Sequence, residues 1–145
     1  MEIRELNEND LESLLELYVQ LDPDNKNYSI QKMKILWKEI ASNKNIRYFG
    51  AVEDDKVVST CYCVIIPNLT KEGRPVCFIE NVVTDEQFRN RGLGRKVIEK
   101  AVETAEANNC YKVILQSGSA RKQAHEFYRN LGFDDTTKIA FDMRL

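Results

Sequence analysis

The residues with the most chemical potential in this sequence lie between positions 80 and 95: Glu80-Asn81-Val82-Val83-Thr84-Asp85-Glu86-Gln87-Phe88-Arg89-Asn90-Arg91-Gly92-Leu93-Gly94-Arg95. A β-rich run ends at Thr84, a polar loop follows, and Arg-x-Arg-Gly-x-Gly opens an amphipathic helix. That arrangement is an anion site. The first N–H groups of a helix have no internal acceptor, and the helix dipole places partial positive charge there. Gly92 and Gly94 carry no Cβ to hold an anion away from those amides. Arg89, Arg91 and Arg95 add full charges and forked donors suited to phosphate oxygens. One phosphate does not need so much; a pyrophosphate does. The bland alternative is a helix start with a solvated basic face and glycine used only for a turn. It loses ground once the arginines, the preceding strand and the following helix are taken together.

Two common phosphate patterns fail. The chain has no Gly-x-x-x-x-Gly-Lys-Ser/Thr loop. Gly92-Leu93-Gly94 lacks the third glycine of a dinucleotide fingerprint and follows strands of antiparallel character. A single histidine, His125, excludes mechanisms needing two imidazoles. Cys61, Cys63, Cys77 and Cys110 have no metal-ligand spacing and sit among Val, Ile, Tyr and Phe. They read as small core hydrophobes in a reducing compartment, and no metal is expected. Lys and Arg number 21 against 23 Asp and Glu, for a formal net charge of -2, so there is no global pull on nucleic acid. The longest apolar run, Cys61 to Ile66, falls far short of the ~20 residues that cross a bilayer. The start, Met-Glu-Ile-Arg-Glu-Leu, has no signal-peptide core, so a cytoplasmic protein without a membrane partner is expected.

The elements that must position these residues follow from periodicity. The chain has 145 residues, with no repeat and no Pro/Gly/Ser linker, and reads as one domain over 1–145. Residues 2–6 form a short strand. Asn7 caps a helix carrying Leu11, Leu14, Leu15, Tyr18 and Leu21, which stops at Asp22-Pro23-Asp24-Asn25. Ser29 caps a second helix with Ile30, Met33, Trp37 and Ile40 on one face. Residues 46–53, 56–66 and 76–84 form an antiparallel meander, turning at Asp54-Asp55 and through the polar loop 67–75. A helix then carries Leu93, Val97, Ile98, Ala101, Val102 and Ala105. Val113-Ile114-Leu115 is a short apolar strand of the kind buried in parallel pairing. Ser117-Gly118-Ser119 breaks it and can cap a last helix with Ala124, Phe127, Tyr128 and Leu131, stopped by Gly132. A final strand or hairpin is expected over 133–144. The order β-α-α-β-β-β-α-β-α-β-β predicts an α/β fold on a mixed, mostly antiparallel sheet.

Two segments resemble a known family. Arg89-Asn90-Arg91-Gly92-Leu93-Gly94 is similar to the Gln/Arg-x-x-Gly-x-Gly/Ala signature of the Gcn5-related N-acetyltransferases. Ala124-His125-Glu126-Phe127-Tyr128-Arg129-Asn130-Leu131-Gly132-Phe133 resembles the family's Ala-x-x-Phe/Leu-Tyr-x-x-x-Gly-Phe stretch. The separation of the two segments and the element order also fit the family. The resemblance implies a single-domain fold whose sheet splays between its fourth and fifth strands, with acetyl-CoA as co-substrate. The pyrophosphate would rest on the loop from Arg89 through Asn90, Arg91, Gly92, Leu93 and Gly94 to Arg95. The pantetheine arm would run along the backbone of Val82, Val83 and Thr84, where a strand bulge frees main-chain groups.

Acetyl transfer to an amine needs a neutral amine, a stabilised oxyanion and a proton for the thiolate. By the resemblance, Tyr128 is the general acid, a phenol that stays protonated at neutral pH. Glu80, a carboxylate in an apolar strand, is the base through a water, or else a contact for a cationic substrate. The alternation puts it on one face with Phe78 and Val82, and puts Asn81 on the other before any bulge. The Val82 amide is the oxyanion donor. Where many relatives carry Asn, seven residues before the tyrosine, this chain has Arg121, and Arg121-x-x-Ala124-His125 occurs in a subset. Arg121 would bind a cofactor phosphate or an acidic acceptor group, or stay solvated; His125 would face the cleft, or cap and pack. Asp22, Asp24, Tyr28, Trp37 and Asn68 would wall the acceptor side. The expected activity is transfer to a small primary amine. The competing readings are a protein or peptide acetyltransferase and a non-catalytic acyl-CoA-binding regulatory module. Exposed Tyr and Phe near the C-terminus leave room for a homodimer.

Overall fold

A computed structural model describes all residues, 1–145. They group into two compact units, Met1–Ile114 and Leu115–Leu145. The elements of the first are β1 (Glu2–Glu5), α1 (Leu11–Leu21), α2 (Ile30–Ser42), β2 (Ile46–Glu53), β3 (Lys56–Ile66), β4 (Val76–Thr84), α3 (Leu93–Ala107) and β5, which begins at Lys112 and ends at Leu115. The strands lie in chain order, β1 to β5. The first four pair antiparallel. The start of β5 lies against the start of β4, where the Tyr111 N–H donates to the Pro75 carbonyl at 3.0 Å. That is the parallel placement a crossover helix requires.

Local chemistry explains the element boundaries. The Asn7 side chain accepts from the Asn9 N–H at 2.9 Å, and the Asp10 carboxylate accepts from the Asn7 N–H at 2.8 Å, a reciprocal box that caps the short 3-10 turn Glu8–Asp10 leading into α1. Asp10, itself buried, also takes the guanidinium fork of Arg4 at 2.7 and 2.8 Å and so ties β1 to α1. Asp54 and Asp55 both have positive φ, the turn that a twisted hairpin favours, built here without glycine. Gly50 lies close under Leu6: a Cβ there would stand 2.6 Å from Leu6 Cδ2, so the leucine side chain would have to shift to admit one.

The core has two layers, one on each face of the sheet. Leu6, Leu11, Leu14, Leu17, Trp37, Val52, Val57 and Val83 form one cluster under α1 and α2. On the other face lie the buried residues of α3, Leu93, Val97, Ile98, Ala101 and Ala105. There the Cys61 thiol donates to the Val97 carbonyl at 3.3 Å. Cys61, Cys63 and Cys77 are fully buried, as small apolar residues would be. No helix is long and apolar enough to cross a membrane.

The second unit carries α4 (Lys122–Asn130), ended by Gly132 at φ 95°. The Phe133 N–H reaches the Tyr128 carbonyl at 3.1 Å, closing the helix end as the sequence predicts. Two expectations fail here. Neither Ser117 nor Ser119 caps α4; Arg121 occupies that position and gives no side-chain bond. The final strand or hairpin over 133–144 does not form, so the observed order ends at α4. Ile139, Phe141, Met143 and Leu145 do alternate in strand fashion, and each is at least 81% exposed. A strand needs a neighbour for its main-chain groups, and this unit contains none for them. Asp134 instead closes a local turn on the Thr136 N–H at 2.8 Å.

Candidate functional site

The register of β4 is interrupted where the chemistry was expected. Tyr62 pairs with Glu80 and Thr60 with Val83, so two residues of β4, Asn81 and Val82, stand opposite one of β3. This is a β-bulge, and Asn81 takes its strained position at φ 52°. Asparagine tolerates the left-handed region, which makes an Asn in an apolar strand the sequence signal for this bend. The consequence is a change of face. Val83, in place of Val82, joins the core under α1. Asn81, expected away from Glu80, lines the cavity between α1, α2 and the sheet. The bend corrects the simple alternation and re-aims the main chain of Asn81 and Val82.

Glu80 is half-buried and pairs across the sheet with Tyr62. Burial, and after it the Glu80 charge, push the Tyr62 phenol above its ordinary pKa. Tyr62 stacks on Tyr48 at 4.9 Å, and Tyr48 meets Trp37 edge-on at 5.3 Å. Burial, reinforced by Tyr62, raises Tyr48 to about 12. Beside Asn81, the Tyr18 hydroxyl is sealed from solvent outside hydrogen-bonding geometry. Burial first, then Tyr48, hold it well above the usual phenol value, with Asn81 pulling the other way. These phenols stay neutral at physiological pH. Of the residues expected to wall the acceptor side, Asp24, Tyr28 and Trp37 line the cavity. Asp22 instead caps the short turn Pro23–Lys26 through the Asp24 N–H at 3.0 Å. Asn68 braces its own loop on Thr70 and Arg74.

Downstream, Thr84 ends β4 and the chain turns into α3. Gln20 of α1 clamps this turn: its amide donates to Asp85 at 2.9 Å and accepts from the Glu86 N–H at 3.1 Å. Sequence reasoning missed Gln20, because nothing at position 20 announces a partner 65 residues away. Asn90 and Gly92 follow with φ 62° and 74°. The first bond of α3 runs from the Lys96 N–H to the Gly92 carbonyl, and no side chain caps the helix start. A Cβ on Gly92 would meet nothing within 4 Å, so space over the turn is open. The Leu93 side chain is buried in the core, which leaves only its amide for the turn. The arginines are not equivalent. Arg89 donates to the Thr84 carbonyl at 3.3 Å. Arg91 lies over the Phe88 ring at 4.7 Å and donates to Gln87. Arg95 sits 3.7 Å from Glu99, one turn along α3. All three are exposed. An uncapped helix start, left-handed residues, open space and exposed guanidinium groups fit an anionic diphosphate.

In the second unit Tyr128 is buried on α4, edge-on to Phe127 at 5.2 Å and to Phe133 at 6.1 Å. His125 lies one turn earlier and its Nε2 is 2.8 Å from the Gly118 carbonyl. It packs the loop against the helix start, the structural one of its two expected roles. Arg121 is exposed, its methylenes 3.6 Å from where a Gly118 Cβ would stand.

Comparison with known proteins agrees with this geometry. The acetyltransferase (GNAT) family profile matches residues 11–133. A glucosamine 6-phosphate N-acetyltransferase of Trypanosoma brucei brucei is 32% identical over 133 residues, covering 92% of this chain and 88% of that protein. A solved structure from Agrobacterium tumefaciens, assigned as an acetyltransferase, superposes with a TM-score of 0.94 at 39% identity and covers 100% of both chains. A structure described as a transcriptional regulator from Bacillus halodurans superposes at 0.90 with 27% identity, covering 99% of each. The bulged strand, the turn it feeds and the matching profile make one case: this chain belongs to the GNAT family, whose members are acetyltransferases with acetyl-CoA as co-substrate.

Proposed function

We propose that the protein transfers the acetyl group of acetyl-CoA to the primary amine of a small molecule by direct attack. The observation that carries this reading is the open, uncapped start of α3 behind the bulged end of β4. The donor supplies an activated acyl carbon and a thiolate leaving group. Amides at the start of α3, with Arg89, Arg91 and Arg95 around them, hold its pyrophosphate. The main chain of Val82, Val83 and Thr84 pairs with its pantetheine arm. Glu80, through a water, takes the proton that the ammonium must lose before attack. The Val82 amide, at the bulge, holds the negative charge on the carbonyl oxygen. As the carbon–sulfur bond breaks, the Tyr128 phenol gives its proton to the sulfur. Arg121 is left for a donor phosphate.

The small-molecule acceptor is favoured by the walled cavity beside Asn81. The similar trypanosomal enzyme takes glucosamine 6-phosphate by its name. A second reading is supported by the likeness to the Bacillus halodurans regulator, in which the same chassis would bind acyl-CoA without turning it over. Thiol release with a panel of amines and N-terminal peptides, beside a coenzyme A titration, separates the readings. Turnover of a small amine is the expected result. Turnover confined to peptides moves the acceptor class to proteins. Binding without any turnover supports the regulatory module.

A further inference from the structure

The cavity that ends at the bulge has a chemical character narrower than its family requires. It encloses about 410 Å³, the size of a small-molecule site. Hydrocarbon from α1 and α2 and the rings of Trp37 and Tyr48 form its walls. Its rim is the segment around Asp24 and Tyr28, and Asn81 stands where the bulge meets it. No lysine or arginine lines it, and Asp24 is the only charged residue that does. Lys26, between Asn25 and Asn27, is exposed and is not among the residues that line it. Asn81 follows Glu80, whose charge already weighs on Tyr62, itself stacked on Tyr48. One carboxylate thus lines the cavity and another lies one residue before Asn81, acting on the Tyr62–Tyr48 stack, while no cationic residue lines the cavity.

Electrostatics decides what can lie there. A phosphate or carboxylate on the acceptor would lose its water and gain no opposite charge. A primary ammonium on an apolar body gains from carboxylates, from ring faces and from burial of its hydrocarbon. We infer that the acceptor is a primary amine on an uncharged, apolar or aromatic body, of the arylalkylamine class, and not an amino-sugar phosphate. This rests on the acetyltransferase reading above and specifies its substrate. The trypanosomal likeness therefore extends to the chemistry of the donor and stops at the acceptor.

The test gives the full chain acetyl-CoA with 2-phenylethylamine, glucosamine, glucosamine 6-phosphate or spermidine, and follows thiol release. The expected kcat/KM for 2-phenylethylamine exceeds that for glucosamine 6-phosphate by about 100-fold, a ratio that an unpaired charge in an apolar site readily produces. Leu36 lines the cavity and is 45% exposed, so Leu36→Arg places a cation there at a tolerant position. It should narrow the ratio at least ~10-fold while coenzyme A affinity stays unchanged. Preference for glucosamine, glucosamine 6-phosphate or spermidine overturns the inference and leaves the acetyltransferase reading standing. Coenzyme A binding with no turnover of any of the four amines, nor of the wider panel of amines and N-terminal peptides, overturns both.

Discussion

Tyr128 packs its ring against Phe127 and Phe133, and its hydroxyl is the only part that phenylalanine lacks. Tyr128→Phe therefore separates acid catalysis from packing. It should lower kcat ~10–1000-fold with little change in the KM for acetyl-CoA, the usual size of a proton-transfer contribution. An equal loss in cofactor affinity would assign the hydroxyl a structural role. Arg89 predicts the opposite split. It lies at the mouth of the turn and holds only a long bond to Thr84, so Arg89→Ala should raise the KM for acetyl-CoA and leave kcat nearly unchanged. An unmoved KM would remove Arg89 from the diphosphate site.

At the level of elements, α1 depends on Asp10. Burial works against its ionised form, but the Arg4 fork and the Asn7 N–H outweigh that and hold its carboxyl below the ordinary value. A carboxyl depressed in the folded state contributes stability above its unfolded pKa and loses it as pH falls through the lower, folded one. Stability should thus decline as pH drops below ~4. Asp10→Asn should cost about 1–3 kcal/mol at pH 7 and flatten that decline, which chemical denaturation at several pH values measures. Much of this was legible beforehand. Asn7, Ser29 and Gly132 mark helix ends because their side chains, or the lack of one, solve a local problem. The glycine turn and β4 were legible for the same reason. The face of Asn81 was not, because a bulge depends on how two strands meet. Gln20 was hidden by sequence distance. The missing C-terminal strand shows the limit of periodicity: alternation from Ile139 to Leu145 specifies a face without supplying a partner.

For the molecule as a whole, the sheet's α3 face is where the cysteines went. Cys61, Cys63 and Cys77 are wholly enclosed, and Cys110 is half-buried. Burial, then the neighbouring Cys77, raises Cys61 to about 12; burial likewise lifts Cys110. Thiolate is the reactive form, so native protein should be nearly inert to an aromatic disulfide reagent. At most one sulfhydryl should react before unfolding and all four after it. Colorimetric titration with and without denaturant counts them. The enclosure has a practical corollary: a chromogenic assay that watches coenzyme A leave reads against an almost silent protein background, and any slow colour without acceptor reports chain opening.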